Sequence, residues 1–199
     1  MRLAGLVFAA LLVLAGPALA LDARDRTFAP GRVGAIVIGK TDPADLAKIY
    51  GAANVKYQKI GYEGGETPGA HVFPESPDFL EVMFSEDGKK IDTIIIGGKN
   101  WVSRSGLRVG IRVAQLERMN GGAFNFQGFG ADEGGRISAG APPLAPFSIY
   151  IGETSEADRK ALLKYFHHEK VFSSRHPAMR NSHFAVRSIY VQAPPAKGD

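Results

Sequence analysis

The chain of 199 residues carries 24 Lys and Arg against 20 Asp and Glu, a formal net charge of +4, and contains no cysteine. That absence excludes disulfides, thiolate metal sites, a cysteine nucleophile and a lipidated N-terminal cysteine, and a chain of this length buries enough surface to fold without such staples. The basic residues are scattered instead of grouped with aromatics, so nucleic acid is not an expected partner.

At the start of the chain, Arg2 is followed by an uncharged run, a Gly16-Pro17 break and the small-residue ending Ala18-Leu19-Ala20. This predicts a secretory signal peptide over 1–20. The uncharged run approaches the roughly 20 residues of a spanning helix, but the break and the Ala-x-Ala ending favour cleavage, which leaves no stable membrane span. The expected location is periplasmic or secreted. An exported chain without disulfides points to a bacterial periplasm.

Residues 21–32 are charged and end in Pro30-Gly31; they read as an N-terminal arm with Phe28 as its docking residue. A short strand is expected over 33–38. Asp42-Pro43 then supplies a cap and a first helical residue, Leu46, Ile49 and Tyr50 share a helical face, and Gly51 ends the turn. Strands are expected over 55–60, 70–73, 79–84 and 91–96, the last two joined as a hairpin through Asp87-Gly88. Between the first two, 61–69 (GYEGGETPG) reads as a polar glycine-rich loop; without a lysine and a following helix it is not a phosphate loop.

Gly110, Leu116, Met119, Asn120 and Gly121 echo the earlier helix ending, and strands at 124–129 and 136–139 follow. Two helix-plus-hairpin units sharing one sheet, over 33–96 and 106–140, would explain the echo; chance recurrence of an ordinary helix ending is the rival. After the Pro-rich bridge 141–146, a C-terminal segment over 146–192 reads as strand, helix and strand. Thr154 or Ser155 caps the helix and Leu162, Leu163 and Phe166 form its buried stripe; 171–182 is a polar surface loop, and 193–199 is a tail. With no composition shift to mark a boundary, 33–192 is expected to be a single α+β domain, an antiparallel sheet carrying short helices on one face.

Chemistry-bearing residues are sparse. Adjacent His167 and His168 point about 100° apart on a helix and cannot share an ion; a site joining either to His176 and His183 would need three or four converging ligands. The expectation is therefore no metal and no cofactor. Glu63 and Glu66 lie in one glycine-rich loop and Asp132 and Glu133 in another, as a carboxylate pair would require, although Asp before Gly also serves tight turns. No serine sits in a recognisable nucleophile motif. Phe124 and Phe126 share a strand face, and Trp101, the sole tryptophan, lies in a polar loop. With Tyr62 and Phe129, Trp101 could form a loop-borne recognition surface; burial of all these rings in the core is the competing reading.

Several of these positions carry a resemblance. Gly34, 42–51, the Glu63-Gly-Gly-Glu66 loop, Phe73-Pro74, Leu80-Glu81-Val82, Trp101, Gly106, Gly110, Leu116, Asn120-Gly121, Phe124 and Gly128-Phe129-Gly130 together resemble a group of uncharacterised exported bacterial proteins with a domain of unknown function. The resemblance covers the run 33–139 and implies no activity. Its pattern has a tryptophan and a tyrosine where this chain has Ala131 and Glu133. In element order the chain is also similar to the tandem helix-plus-sheet units of β-lactamase inhibitor proteins and small outer-membrane assembly lipoproteins, which implies protein binding, although this chain lacks the lipidated cysteine and the disulfides and adds a third segment.

The resulting expectation is a non-catalytic binding or scaffold module of the bacterial envelope that contacts a protein or envelope polymer through Tyr62, Glu63, Glu66, Trp101, Phe129, Asp132 and Glu133. The alternative is a hydrolase acting on envelope polymers, with a carboxylate pair drawn from Glu63, Glu66, Asp132 and Glu133 at a separation of roughly 5–9.5 Å.

Overall fold

The computed structural model describes residues 22–62, 64–138 and 140–195. The expected leader, Glu63 and the last residues of the tail lie outside them. The protein is α+β. Its strands form a six-stranded antiparallel sheet, a four-stranded sheet and a three-stranded sheet.

The small N-terminal sheet consists of β1 (Thr27–Ala29), β2 (Arg32–Val33) and β3 (Ile36–Val37), closed by parallel pairing of β1 with β8 (Val102–Ser103). Here the structure departs from the expected arm. Phe28, the expected docking residue, is buried at 2% exposure and meets Phe147 edge to face at 5.3 Å, but Thr27–Ala29 is a strand paired on both sides instead of a free arm. The single strand expected over 33–38 is instead two, because the chain turns back between Val33 and Ile36 to pair them.

Asp42 caps a short helical turn by accepting the Ala44 amide at 2.8 Å, and α1 (Leu46–Tyr50) follows, with Leu46 and Tyr50 inside. The chain then forms two long hairpin strands, β4 (Val55–Tyr62) and β5 (Gly65–Val72), in continuous register from Val55↔Val72 to Tyr62↔Gly65. Most of the loop expected over 61–69 is therefore strand: cross-strand pairing takes in Gly61, Gly65 and Gly69 and ends at Tyr62↔Gly65. β6 (Leu80–Phe84) and β7 (Ile91–Ile96) form the expected hairpin, with a bulge after Met83.

The second helix, α2 (Val113–Met119), leads to β9 (Asn125–Gln127) and β10 (Ile137–Ser138). These strands lie in the three-stranded sheet, not in the sheet of the first unit, so the two units do not share one sheet. The third strand there is β12 (Val171–Ser173). It and α4 (Pro177–Arg180) occupy the segment expected to be an irregular loop. Their anchor is aromatic: Phe126 stacks on Phe172 at 5.8 Å and meets Phe166 edge to face at 5.5 Å.

The main sheet is completed by β11 (Ser148–Gly152) and β13 (Ala185–Gln192). Between them α3 (Glu156–Ala161), capped by the Ser155 hydroxyl, runs into a wider π turn over Leu162–Phe166. Leu162 and Phe166 are buried as expected, but Leu163 is 57% exposed. The wider turn places residues four apart on one face and rotates Leu163 away from it.

Facing residues of one cross-strand row project to the same side of a sheet. The rows through Ile149, Ile189, Ile96 and Leu80 and through Val191, Ile94, Val82 and Ala70 point into the hydrophobic core with Leu46, Leu116 and Trp101. The intervening rows point the other way. They run from Ser148 through Tyr190, Ile95, Glu81 and His71 to Lys56, and from Gln192 through Thr93, Met83 and Gly69 to Gln58. This open face carries the candidate site. Among the described residues no helix is long and apolar enough to cross a membrane.

Candidate functional site

A groove of about 430 Å³ crosses the open face, lined by Gly61, Tyr62, Met83, Thr93, Ile95, Glu133, Tyr150, Tyr190 and Gln192. Five strands of the six-stranded sheet and one loop contribute to it. Its aromatic end arises from a repeated triplet. Ser148-Ile149-Tyr150 in β11 pairs antiparallel with Ser188-Ile189-Tyr190 in β13, so each tyrosine faces a serine and the central isoleucines face each other. The isoleucines enter the core, and the two tyrosines become diagonal neighbours on the open face, with ring centroids 4.8 Å apart and planes inclined by 40°.

Along β4, Tyr62 follows Ile60 and Gln58 on the open side by strand alternation. Ile60 is buried at 2% exposure because β5 presents a glycine there. A Cβ on Gly69 would come within 2.5 Å of Ile60 Cγ1 and of the Val82 carbonyl oxygen. Gln192 donates to the Thr93 hydroxyl at 3.3 Å, tying the polar ends of β13 and β7 together.

Glu133 reaches the groove from the loop between β9 and β10. Gly135, at φ 84°, brings this loop against β11 so closely that a Cβ would lie 2.3 Å from the Ile151 carbonyl oxygen; the Ile151 amide donates to the Gly135 carbonyl at 2.9 Å. Glu133 itself is left-handed at φ 56°. One carboxylate oxygen accepts from the Arg136 guanidinium at 2.8 Å, and the other accepts from the Tyr150 hydroxyl at 3.5 Å. Burial first, then the Glu133 charge, pushes the Tyr150 phenol up to about 12 against the pull of Arg136. Burial and the charges of Glu81 and Glu133 also raise Tyr190. Both phenols therefore remain neutral hydrogen-bonding groups, and neither is poised as a base.

Of the residues expected to form a site, the groove brings together Tyr62, which is half exposed, and Glu133. Glu66 is exposed and lies 3.3 Å from Lys59, outside the groove lining. Asp132 is exposed and does not line it either. Trp101 is a correction: it is fully buried, its indole Nε1 donates to the Asp78 carbonyl at 2.9 Å, and the Arg26 guanidinium lies 5.0 Å from its ring centre. Polar neighbours in sequence concealed this burial, which depends on contacts distant in the chain. Phe129 is only partly buried and packs on Phe126 and Phe184, so it belongs to the core margin.

The histidines are dispersed. His71 contacts the Gln58 amide and Phe79, and His176 accepts the Ala178 amide at the start of α4. His167 and His168 are exposed. Among the described residues no group of three His, Asp or Glu is placed to hold a metal ion. The sequence reading missed Tyr150, Tyr190, Met83, Ile95, Thr93 and Gln192. The repeated Ser-Ile-Tyr triplet was the available signal: two strands alternating a core isoleucine with tyrosine are suited to pair with each other.

The fold and groove thus define an α+β protein with an aromatic, acid-edged cleft on an open sheet face. No protein-family model matches the chain, and no curated protein matches it. Among solved structures, it is similar to the crystal structure of the uncharacterized protein yfeY from Escherichia coli, over 82% of this chain and 95% of that chain, at 13% identity and a TM-score of 0.47.

Proposed function

We propose that this protein is a non-catalytic binding or scaffold module of the bacterial envelope, exported by its leader, which holds a protein or envelope polymer in the groove on the open sheet face. The observation that carries this reading is the convergence of Tyr62, Tyr150, Tyr190 and Glu133 on one cleft. Tyrosine supplies a large, stiff contact surface with a polar tip, and aromatic residues dominate binding hot spots. The floor of Met83 and Ile95 offers apolar area, while Thr93 and Gln192 offer polar contacts along one side. The carboxylate pair of the hydrolase reading has no such support, because among Glu66, Asp132 and Glu133 only Glu133 lines the groove.

The test is crosslinked capture from envelopes of the native host with the full-length tagged chain, comparing wild type with Tyr150→Ala/Tyr190→Ala. The expected result is a reproducible partner or polymer fraction that the double variant loses while its thermal unfolding stays close to that of wild type. Recovery of the same partner in equal yield by the folded double variant would overturn the reading.

A further inference from the structure

The chemistry lining the groove also specifies what it receives. Although the chain carries a net charge of +4, among the described residues no Lys, Arg or His lines this cleft, and the sole charged lining residue is Glu133. The nearest cation to that carboxylate, Arg136, is bound to one of its oxygens at 2.8 Å and lies outside the lining. The other oxygen faces the Tyr150 hydroxyl. Aromatic rings attract cations through the negative potential of their faces, and the groove is lined by three of them. An anionic ligand would meet ring faces and a carboxylate, with no cation to receive it. Burial is the first cause of the raised Tyr150 and Tyr190 phenols, and the Glu133 charge adds to both.

We propose that the groove is a cation-recognition site, in which an alkylated ammonium or a guanidinium sits against the Tyr150 and Tyr190 pair with Glu133 as its counter-charge. This deepens the binding-module reading and rests on it for biological purpose. A volume of about 430 Å³ accommodates one basic side chain or one quaternary ammonium headgroup. Met83 and Ile95 would contact the alkyl part, and the Tyr150 hydroxyl would remain directed to Glu133.

Met83 provides a reporter inside the site. With the full chain labelled at its methionine methyl groups, Met83 is titrated with choline and with its uncharged isostere 3,3-dimethylbutan-1-ol. A second pair, Nα-acetylarginine amide and Nα-acetylcitrulline amide, tests the guanidinium. The expected result is a saturable Met83 shift with a preference of about tenfold for the cation of at least one pair, reduced several-fold in Glu133→Gln and weakened by added salt. Preference confined to choline identifies a quaternary ammonium headgroup as the source; preference confined to arginine identifies a basic protein side chain.

Equal responses to the charged and neutral members of both pairs, or no saturable shift with any probe, would overturn the proposal. These failures are distinguishable from failure of the binding-module reading. Loss of partner capture in the tyrosine variants without cation preference leaves the module reading standing and removes the cation. Unchanged capture together with selective cation binding removes the module reading and retains the cation site.

Discussion

The indole Nε1 of Trp101 donates to the main-chain carbonyl of Asp78 at 2.9 Å, while the Asp78 carboxylate holds Arg26 at 2.9 Å. Arg26 also lies over the Trp101 ring, so three segments distant in sequence are locked at one corner of the sheet. This makes Trp101 a stability residue. Trp101→Ala is expected to cost about 3–5 kcal/mol. Trp101→Phe retains most of the packing but leaves the Asp78 carbonyl without its donor, at about 1–2 kcal/mol. Urea unfolding measures both, and the folded Phe variant should retain the groove's response to cations.

The N-terminal segment should be equally indispensable. β1 pairs on both sides, with β2 and β8, and Phe28 fills the core beside Phe147. A chain beginning at residue 33 is expected to lose cooperative thermal unfolding, whereas one beginning at residue 22 keeps it. Phe28→Ala in the longer chain should cost about 3–5 kcal/mol. A cooperative transition at the same temperature in the shorter chain would show that the strands are only appended.

How much of this architecture was legible depended on how local its causes are. Asp42 as a cap and Asp87-Gly88 as a turn act through neighbours, and both could be read directly. The paired Ser-Ile-Tyr triplets lie forty residues apart (188 − 148), and their meaning appears only when β11 and β13 adjoin. Glu133 was found as a loop acid, but its partner Tyr150 was hidden in a strand whose isoleucines already accounted for its hydrophobicity. Trp101 failed for the converse reason: its sequence neighbours are polar, and its burial comes from Asp78 and Arg26.

Asp158 gives a prediction in acid. It is 2% exposed. Burial alone would raise its pKa, yet the His183 amide at 2.7 Å and the Ser155 and Thr154 hydroxyls at 2.8 and 3.0 Å outweigh that effect and hold it below the ordinary carboxylate value. A lowered native pKa gives stability that is fully present above the unfolded value of about 4 and is lost as pH falls through the native one. Asp158→Ala is therefore expected to cost about 2–3 kcal/mol near neutrality, with the difference from wild type shrinking below pH ~4. Denaturant unfolding across that range tests it.

At the alkaline end, Tyr150 and Glu133 should be coupled. Because burial and then the Glu133 charge raise the Tyr150 phenol to about 12, Tyr150 contributes stability below its unfolded value of about 10, and that contribution is lost as pH rises through about 12. Glu133→Gln removes the charge and leaves the burial. Its expected effect is to move Tyr150 part of the way back toward the ordinary phenol value. A tyrosinate absorbance titration, with Tyr150→Phe used to assign the step, measures the movement; an unshifted Tyr150 step in Glu133→Gln would show that the two groups do not interact.

Glu133 also separates stability from binding. A non-glycine residue at φ 56° carries a backbone cost of roughly 1–2 kcal/mol, and its exposed pairing with Arg136 returns only about 0–1 kcal/mol. Glu133→Gly removes both contributions, so thermal stability should stay the same or rise by about 1 kcal/mol. The same substitution deletes the groove's negative charge, and the selective response of Met83 to cations should disappear. A residue kept in an unfavourable conformation without benefit to the fold fits a functional role, since strain of this kind persists where a site requires a side chain at one position. If Glu133→Gly instead lost about 2 kcal/mol or more, Glu133 would be a structural clamp between Arg136 and Tyr150, and its carboxylate would need no ligand to explain it.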